Sequence, residues 1–312
     1  MVGLIVRRVL SLIPLWFSIT FLVFLLLHWA PGDPAEILLR KEGIEPTQEA
    51  LEEARRRLGL DQPLPLQYGR WLFRLFQLDL GLSYKTGEPV IQELLTRLPA
   101  TLELTLASFG VIVFLSLTVG LLSAMRSGGG LDQVGILFAI LGASIPSFWL
   151  GLLLIYLFSI HLGWLPVMGR GDFGHLVLPA LTLGLGTAMI QGRLLRTSLI
   201  QVLGKDFIKT AMAKGLSRRR ILLRHALPNA LLPILTTLGM VLGRLLGGAV
   251  IVETIFSWPG LGRLAIEAIL QRDYPILMGY VLLTASLFLF INLCVDIGYR
   301  FLDPRIEFDP RS

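Results

Sequence analysis

A chain of 312 residues that is 54% hydrophobic and only 16% charged lies far from the composition of an ordinary soluble domain. Its mean hydropathy of +0.71 points to a polytopic membrane protein, and the positions of its cations say more than its net charge of +6. A single cysteine, Cys294, excludes an intrachain disulfide; inside the last apolar run it reads as a small apolar filler.

Six stretches are long and apolar enough to cross ~30 Å of hydrocarbon as helices of about 20 residues. They lie near 9–30, 101–125, 134–160, 176–195, 230–252 and 276–299. A soluble all-helical bundle is the alternative, and runs of this length argue against it. Arg7-Arg8 before the first run could introduce a secretory signal. However, the run is too long for a signal core and His28-Trp29-Ala30 is not a small-residue cleavage site, so 1–30 reads as an uncleaved first helix.

Residues 31–98 form the one sizeable polar segment. Thr47 is placed to start a helix with Leu51, Ala54 and Leu58 on one stripe, and Gly59 to end it. After Asp61-Gln62-Pro63-Leu64-Pro65, a second helix presents Tyr68, Trp71, Leu72 and Leu75. This is a small external helical cap, too short for a catalytic domain. Residues 99–300 then make a five-helix transmembrane core. Within it, Ser127-Gly128-Gly129-Gly130 is a tight turn, and the segment from Gly163 to Gly174 is a flexible connection. Pro179, Arg193 and Arg196 mark the fourth run.

The polar loop at 201–228 follows. Next comes a segment at 253–275, where Trp258-Pro259-Gly260 breaks the helix and Leu261, Leu264, Ala265, Ala268 and Ile269 make a short amphipathic piece scooping along the outer surface. A tail at 301–312 ends the chain.

Lys and Arg set the orientation. With both termini inside, the cytoplasmic segments carry Arg7, Arg8, Arg126, Arg193, Arg196, the basic 205–224 loop, Arg300, Arg305 and Arg311. The outer cations lie mostly in the long 31–98 segment, which counts little in this rule. There Arg40, Lys41 and Arg55-Arg56-Arg57 are offset by many acids.

The 205–224 loop is the most informative stretch. It carries Lys205, Lys209, Lys214, Arg218, Arg219, Arg220 and Arg224, with Gly215 near its middle. Glycine suits the corner between two short helices. Ile208, Ala211 and Met212 before the corner, and Leu216, Ile221, Leu222 and Leu223 after it, supply apolar surface. A charged helical knob between two spans is the geometry of a docking element.

Lys209-Thr210-Ala211, Gly215 after three intervening residues, and Leu227-Pro228 resemble the EAA loop of bacterial ABC importer permeases. Lys209 stands where that family usually has Glu, and His225 where it usually has Ile. Further motifs follow in order: Ala30-Pro31-Gly32-Asp33-Pro34, Leu98-Pro99-Ala100-Thr101-Leu102-Glu103, Ser144-Ile145-Pro146-Ser147-Phe148-Trp149, Trp258-Pro259-Gly260-Leu261-Gly262, Arg272-Asp273-Tyr274-Pro275 and Asp303-Pro304-Arg305. As a set they resemble the B-type permease of dipeptide, oligopeptide and nickel importers.

The resemblance implies a multi-pass subunit of the bacterial inner membrane that pairs with a second, homologous permease. It implies two cytoplasmic ATPase chains carrying ATP and Mg, and an external solute-binding protein. Peptide is the implied cargo, with nickel complexes, glutathione and oligosaccharides as alternatives. Coupling to the ATPase is implied for Lys209, Thr210, Ala211, Lys214, Gly215, Leu216, Arg219, Leu227 and Pro228.

The sequence has no G-x-x-x-x-G-K-[ST] nucleotide loop, H-E-x-x-H, C-x-x-C or G-x-S-x-G. The chain itself is therefore expected to be no enzyme, to hold no cofactor or metal, and to have lipid but no nucleic acid as a partner. His28, His161, His175 and His225 show no ligand spacing. An autonomous ion-coupled carrier would show midplane acids. The spans offer only Glu103 and Asp296 near their ends and Arg244 well inside. Arg244, with Gly243 and Gly247, is a candidate for the substrate path; the alternatives are an ion pair or a subunit interface. The small residues Gly184, Gly186, Ala188, Gly239, Gly243, Gly247 and Gly248 fit either tight helix packing or a mobile path-lining face.

Overall fold

The computed structural model describes residues 2–29, 33, 35–36, 39, 43–125 and 128–302. Most of the Ala30–Pro34 motif, Asp303-Pro304-Arg305 and the 301–312 tail beyond Leu302 lie outside the described residues. So do Arg126 and Ser127, and the side chains of Arg7, Arg8, Asp296 and Arg300.

Among the described residues the fold is all-α. The helices are α1 (Val2–Trp29), α2 (Gln48–Leu58), α3 (Leu64–Phe76), α4 (Val90–Met125), α5 (Gly130–Ser144), α6 (Ser147–Leu154), α7 (Phe173–Leu203), α8 (Asp206–Ala213), α9 (Arg218–Arg220), α10 (Leu227–Ile255), α11 (Leu261–Gln271) and α12 (Tyr274–Leu302). Two π-helical stretches, Ile155–His161 and Ile221–Ala226, continue α6 and join α9 to α10.

Four helical stretches are long and apolar enough to span: Val90–Met125, Phe173–Leu203, Arg218–Gly247 and Tyr274–Val295. The third expected span is not one straight helix. It breaks between α5 and α6 by 110°, where Ile145 leaves the helical region and Pro146 caps the next segment. Proline disfavours a helical residue before it and removes the donor that would continue the ladder. Counting that bent pair gives five spans. In α1 the described apolar stretch is the shorter Leu10–Leu26.

The chain forms two compact units. The first comprises Met1–Pro99 and Arg263–Leu289. Here the cap helices form as the sequence predicts. Thr47 Oγ1 accepts from Ala50 N at 3.3 Å, and Gly59, at φ 68°, closes α2 through bonds to Arg55 and Arg56 carbonyls. The face of α3 carrying Tyr68 and Trp71 packs on α1, where the Tyr68 hydroxyl lies 2.9 Å from Thr20 Oγ1 and both rings meet Phe24. Gly279 in α12 lets Val90 and Leu94 of α4 approach closely; a Cβ there would come within 2.7 Å of Val90.

The second unit comprises Ala100–Gly262 and Phe290–Ser312. Its largest core joins Ile112 of α4, Leu195 and Leu199 of α7, and Ile234, Leu238 and Leu245 of α10. Close glycine contacts weld it: a Cβ on Gly120 would meet the Gly192 carbonyl at 2.9 Å, and one on Gly184 would meet the Ser108 carbonyl at 3.0 Å. Of the two readings of the small residues, packing therefore accounts for Gly184, and also for Gly186 beside the Gly142 carbonyl. Cys294 does not fill a core position; it is exposed.

Candidate functional site

The basic loop is assembled on the core of the second unit. Helix α8 ends at a full Schellman motif: Gly215 N–H donates to the Met212 carbonyl at 2.9 Å, and Leu216 N–H to the Ala211 carbonyl at 3.3 Å. Gly215 sits at φ +75°, in the left-handed region that the motif requires. The apolar contact that accompanies such a cap is made by Ala211 and Leu216, which share the core with Ile208. Ile208, Ile221 and Ala226 are fully or almost fully buried there, so the knob is anchored from beneath by its own apolar stripe.

Two expectations change. Met212 and Leu223 do not join this stripe; with Phe207 they are exposed, at 53%, 43% and 43%. The second short helix is also not separate. Residues from Arg218 run through the π-helical Ile221–Ala226 directly into α10, so the corner at Gly215 is hinged to a span. The widened register falls just before Pro228, whose missing N–H would otherwise interrupt the ladder.

The outer face is polar and cationic. Lys209 is exposed and pairs with Asp206 at 2.8 Å, and the Thr210 hydroxyl caps back on the Asp206 carbonyl at 3.1 Å. Lys214, Arg219, Arg220 and Arg224 are exposed. Arg218 reaches the Met125 carbonyl at the C-terminus of α4, where helix carbonyls favour a cation. Leu227 is half-buried against the core and Pro228 is exposed at the start of α10. The structure thus gathers all the coupling candidates on one anchored element, whose exposed residues include Phe207, Met212 and Leu223 as well as the cations. Exposed apolar side chains together with arginines suit protein docking, since both are enriched at interfaces.

Arg244 and Gly247 lie on one exposed face of α10 with Met240 and Ile251, whereas Gly243 is buried. A Cβ on Gly247 would meet nothing within 4 Å. Among the described residues Arg244 has no hydrogen-bond or ion-pair partner. Glu103, near the end of its span, is paired with Arg170 at 2.6 Å.

A buried acid escaped the sequence reading. Glu253, at the end of α10, is wholly inaccessible. It accepts from the Thr101 hydroxyl at 2.6 Å, Thr101 accepts in turn from Leu261 N–H at 2.8 Å, and Trp258 Nε1 donates to the Ala100 carbonyl at 2.8 Å. Gly260 is required because a methyl group there would collide with the Glu253 carboxylate. The Trp-Pro-Gly break is therefore a knotted turn, and its signal was an acid just beyond a span and seven residues ahead of a glycine.

With this geometry in hand, comparison with known proteins is decisive. The family described as "Binding-protein-dependent transport system inner membrane component" matches residues 116–308, and its N-terminal membrane-component family matches residues 1–105. The chain belongs to the binding-protein-dependent ABC transport permeases. It is 40% identical over 308 residues to the glutathione transport system permease protein GsiC of Escherichia coli (strain K12), covering 99% of this chain and 100% of that one. The corresponding protein of Pectobacterium atrosepticum is 41% identical over the same span and coverage.

Among solved structures, the MetNI methionine ABC transporter in an inward-facing conformation aligns with TM-score 0.59 at 21% identity, covering 69% of this chain and 98% of that chain. An amino acid ABC transporter with histidines aligns at TM-score 0.51 and 19% identity, covering 69% and 94%. These two show the fold alone. This permease is an all-α, multi-pass inner-membrane protein, a transport subunit rather than an enzyme. Membership also entails working with a partner permease, an ATPase and a solute-binding protein.

Proposed function

We propose that this chain forms half of a path for glutathione or peptides of similar size, pairing with a homologous permease above two ATPase chains that carry ATP and Mg. The end-to-end similarity to glutathione permeases carries the cargo reading. The test is uptake into proteoliposomes holding both permeases, the ATPases and the binding protein. ATP-dependent accumulation of labelled glutathione, competed by small peptides, is the expected result. Accumulation of neither thiol nor peptide, with another cargo carried instead, would overturn it.

The orientation belongs to the same proposal: six spans, both termini and 205–224 in the cytoplasm, and 31–98 outside, the cation distribution supporting it. In a Cys294→Ser background, impermeant maleimide added outside should label Glu45→Cys and not Arg219→Cys. The reverse pattern would contradict the orientation.

The exposed face of α10 is proposed to line the path. An intramembrane Arg is costly unless it meets water or an anion. Arg244→Gln should lower uptake of free-carboxylate peptides about tenfold, as loss of one charge-assisted contact of roughly 1.5 kcal/mol implies. Amidated peptides should change much less. Equal loss for both would point instead to a structural ion pair or a subunit contact.

A further inference from the structure

The first unit contains a polar cleft of about 80 Å³, lined by Ser83, Lys85, Thr86, Glu93 and Arg97 on one side and Leu264, Glu267, Gln271 and Asp273 on the other. Its floor is built. Asp273, 3% exposed, accepts from the Ser83 hydroxyl at 2.5 Å and from the backbone N–H groups of Tyr84 and Lys85 at 3.2 Å each. Ser83 Oγ accepts in turn from Thr86 N at 3.0 Å. Burial, with Asp273 and Tyr274 close by, raises the Tyr84 phenol above its ordinary value, so this turn carries no phenolate. The backbone that presents Lys85 is thereby fixed from below.

The charges of the cleft are unequally satisfied. Its anions are engaged: Asp273 by the donors above, Glu93 by the Thr86 hydroxyl at 2.8 Å, and Glu267 by Arg263 at 2.9 Å. Its cations are not. Neither exposed Lys85 nor half-buried Arg97 has a side-chain hydrogen bond or ion pair among the described residues. The cap arginines differ: Arg55 holds Asp33 at 2.6 Å, Arg56 holds Glu52 at 3.7 Å and Arg57 holds Glu53 at 3.0 Å. The Arg55-Arg56-Arg57 run is compensated within the cap, and the open positive charge of this unit's cleft lies at Lys85 and Arg97.

We infer that this cleft is the seat for an acidic side chain of the solute-binding protein, whose carboxylate sits between Lys85 and Arg97. The inference rests on the proposed orientation, which puts residues 31–98 outside. A cleft of about 80 Å³ has room for a few waters, hence for the end of one side chain and not for a tripeptide. The rim is of mixed sign, with Glu93 and Glu267, each engaged within the chain, beside the cations. Opposite charges at such a rim act chiefly on the association rate.

The test uses the intact importer in nanodiscs and its purified binding protein. Lys85→Glu with Arg97→Glu should slow association about tenfold at low salt and flatten its dependence on ionic strength. ATPase turnover without binding protein should not change. If the double variant does not assemble, Lys85→Gln alone, at an exposed position, should slow association about threefold, and Lys85→Arg should restore it. Unchanged association would overturn the inference. Unchanged association with loss of bound anionic lipid by native mass spectrometry would overturn it in favour of a headgroup. Charge-dependent docking without glutathione uptake would leave the seat standing and remove only the cargo reading.

Discussion

Gly215→Val should leave the permease in the membrane at a near-normal level while cutting ATP-driven uptake at least tenfold. Space is not the reason, since a Cβ at Gly215 would meet nothing within 4 Å. The cause is backbone conformation. At φ +75° a β-branched residue is strained by roughly 1–3 kcal/mol, and the Schellman bonds from Gly215 and Leu216 hold only at that angle. The core side of the loop, through Ile208 and Ile221, stays anchored, so the fold should survive while the outer face turns. ATP hydrolysis continuing without uptake is the expected signature. Gly215→Asn, which tolerates the left-handed region, should retain most of the transport. Equal transport by the Val and Asn variants would show that the corner only links its neighbours.

Glu253→Ala should destabilise the permease by about 3 kcal/mol, summing an unpaired buried hydroxyl at Thr101 and a partly collapsed cavity. That corresponds to a fall of roughly 5–10 °C in the Tm of the detergent-solubilised protein. Glu253→Gln keeps an acceptor for Thr101 and most of the volume, so its loss should be less than half as large. Gly260→Ala should behave like the alanine variant, because its methyl group would press on the carboxylate. A Tm unchanged in Glu253→Ala would mean that the Thr101–Glu253–Leu261 knot does not hold the turn.

Much of the fold is written in local signals that need no partner. Thr47 and Gly59 bound α2 because capping is decided within a turn or two, and Gly215 marks a corner for the same reason. Long apolar runs give the spans, although Ile145-Pro146 splits one of them, and helix-breaking chemistry overrides hydropathy there. Tertiary facts were less accessible. Periodicity placed Met212 and Leu223 with the apolar stripe, but 3.6-residue spacing cannot say which edge of a stripe the core covers. Glu253 meets Thr101 across 152 positions of chain, and Asp273 meets Ser83 across 190, so neither partnership leaves a local trace. The cap arginines were legible for the converse reason: the partners of Arg56 and Arg57 lie four residues away, and only that of Arg55, Asp33, is more distant.

We propose that the 205–224 element, on which Met212 is exposed, is the surface through which the ATPase drives this permease. A photo-crosslinking residue in place of Met212, in the assembled importer within native membranes, tests it most directly. The account predicts a cross-link to the ATPase subunit from position 212 and none from position 45. A cross-link from position 212 to the binding protein or to lipid alone, or an ATPase cross-link from position 45, would contradict it.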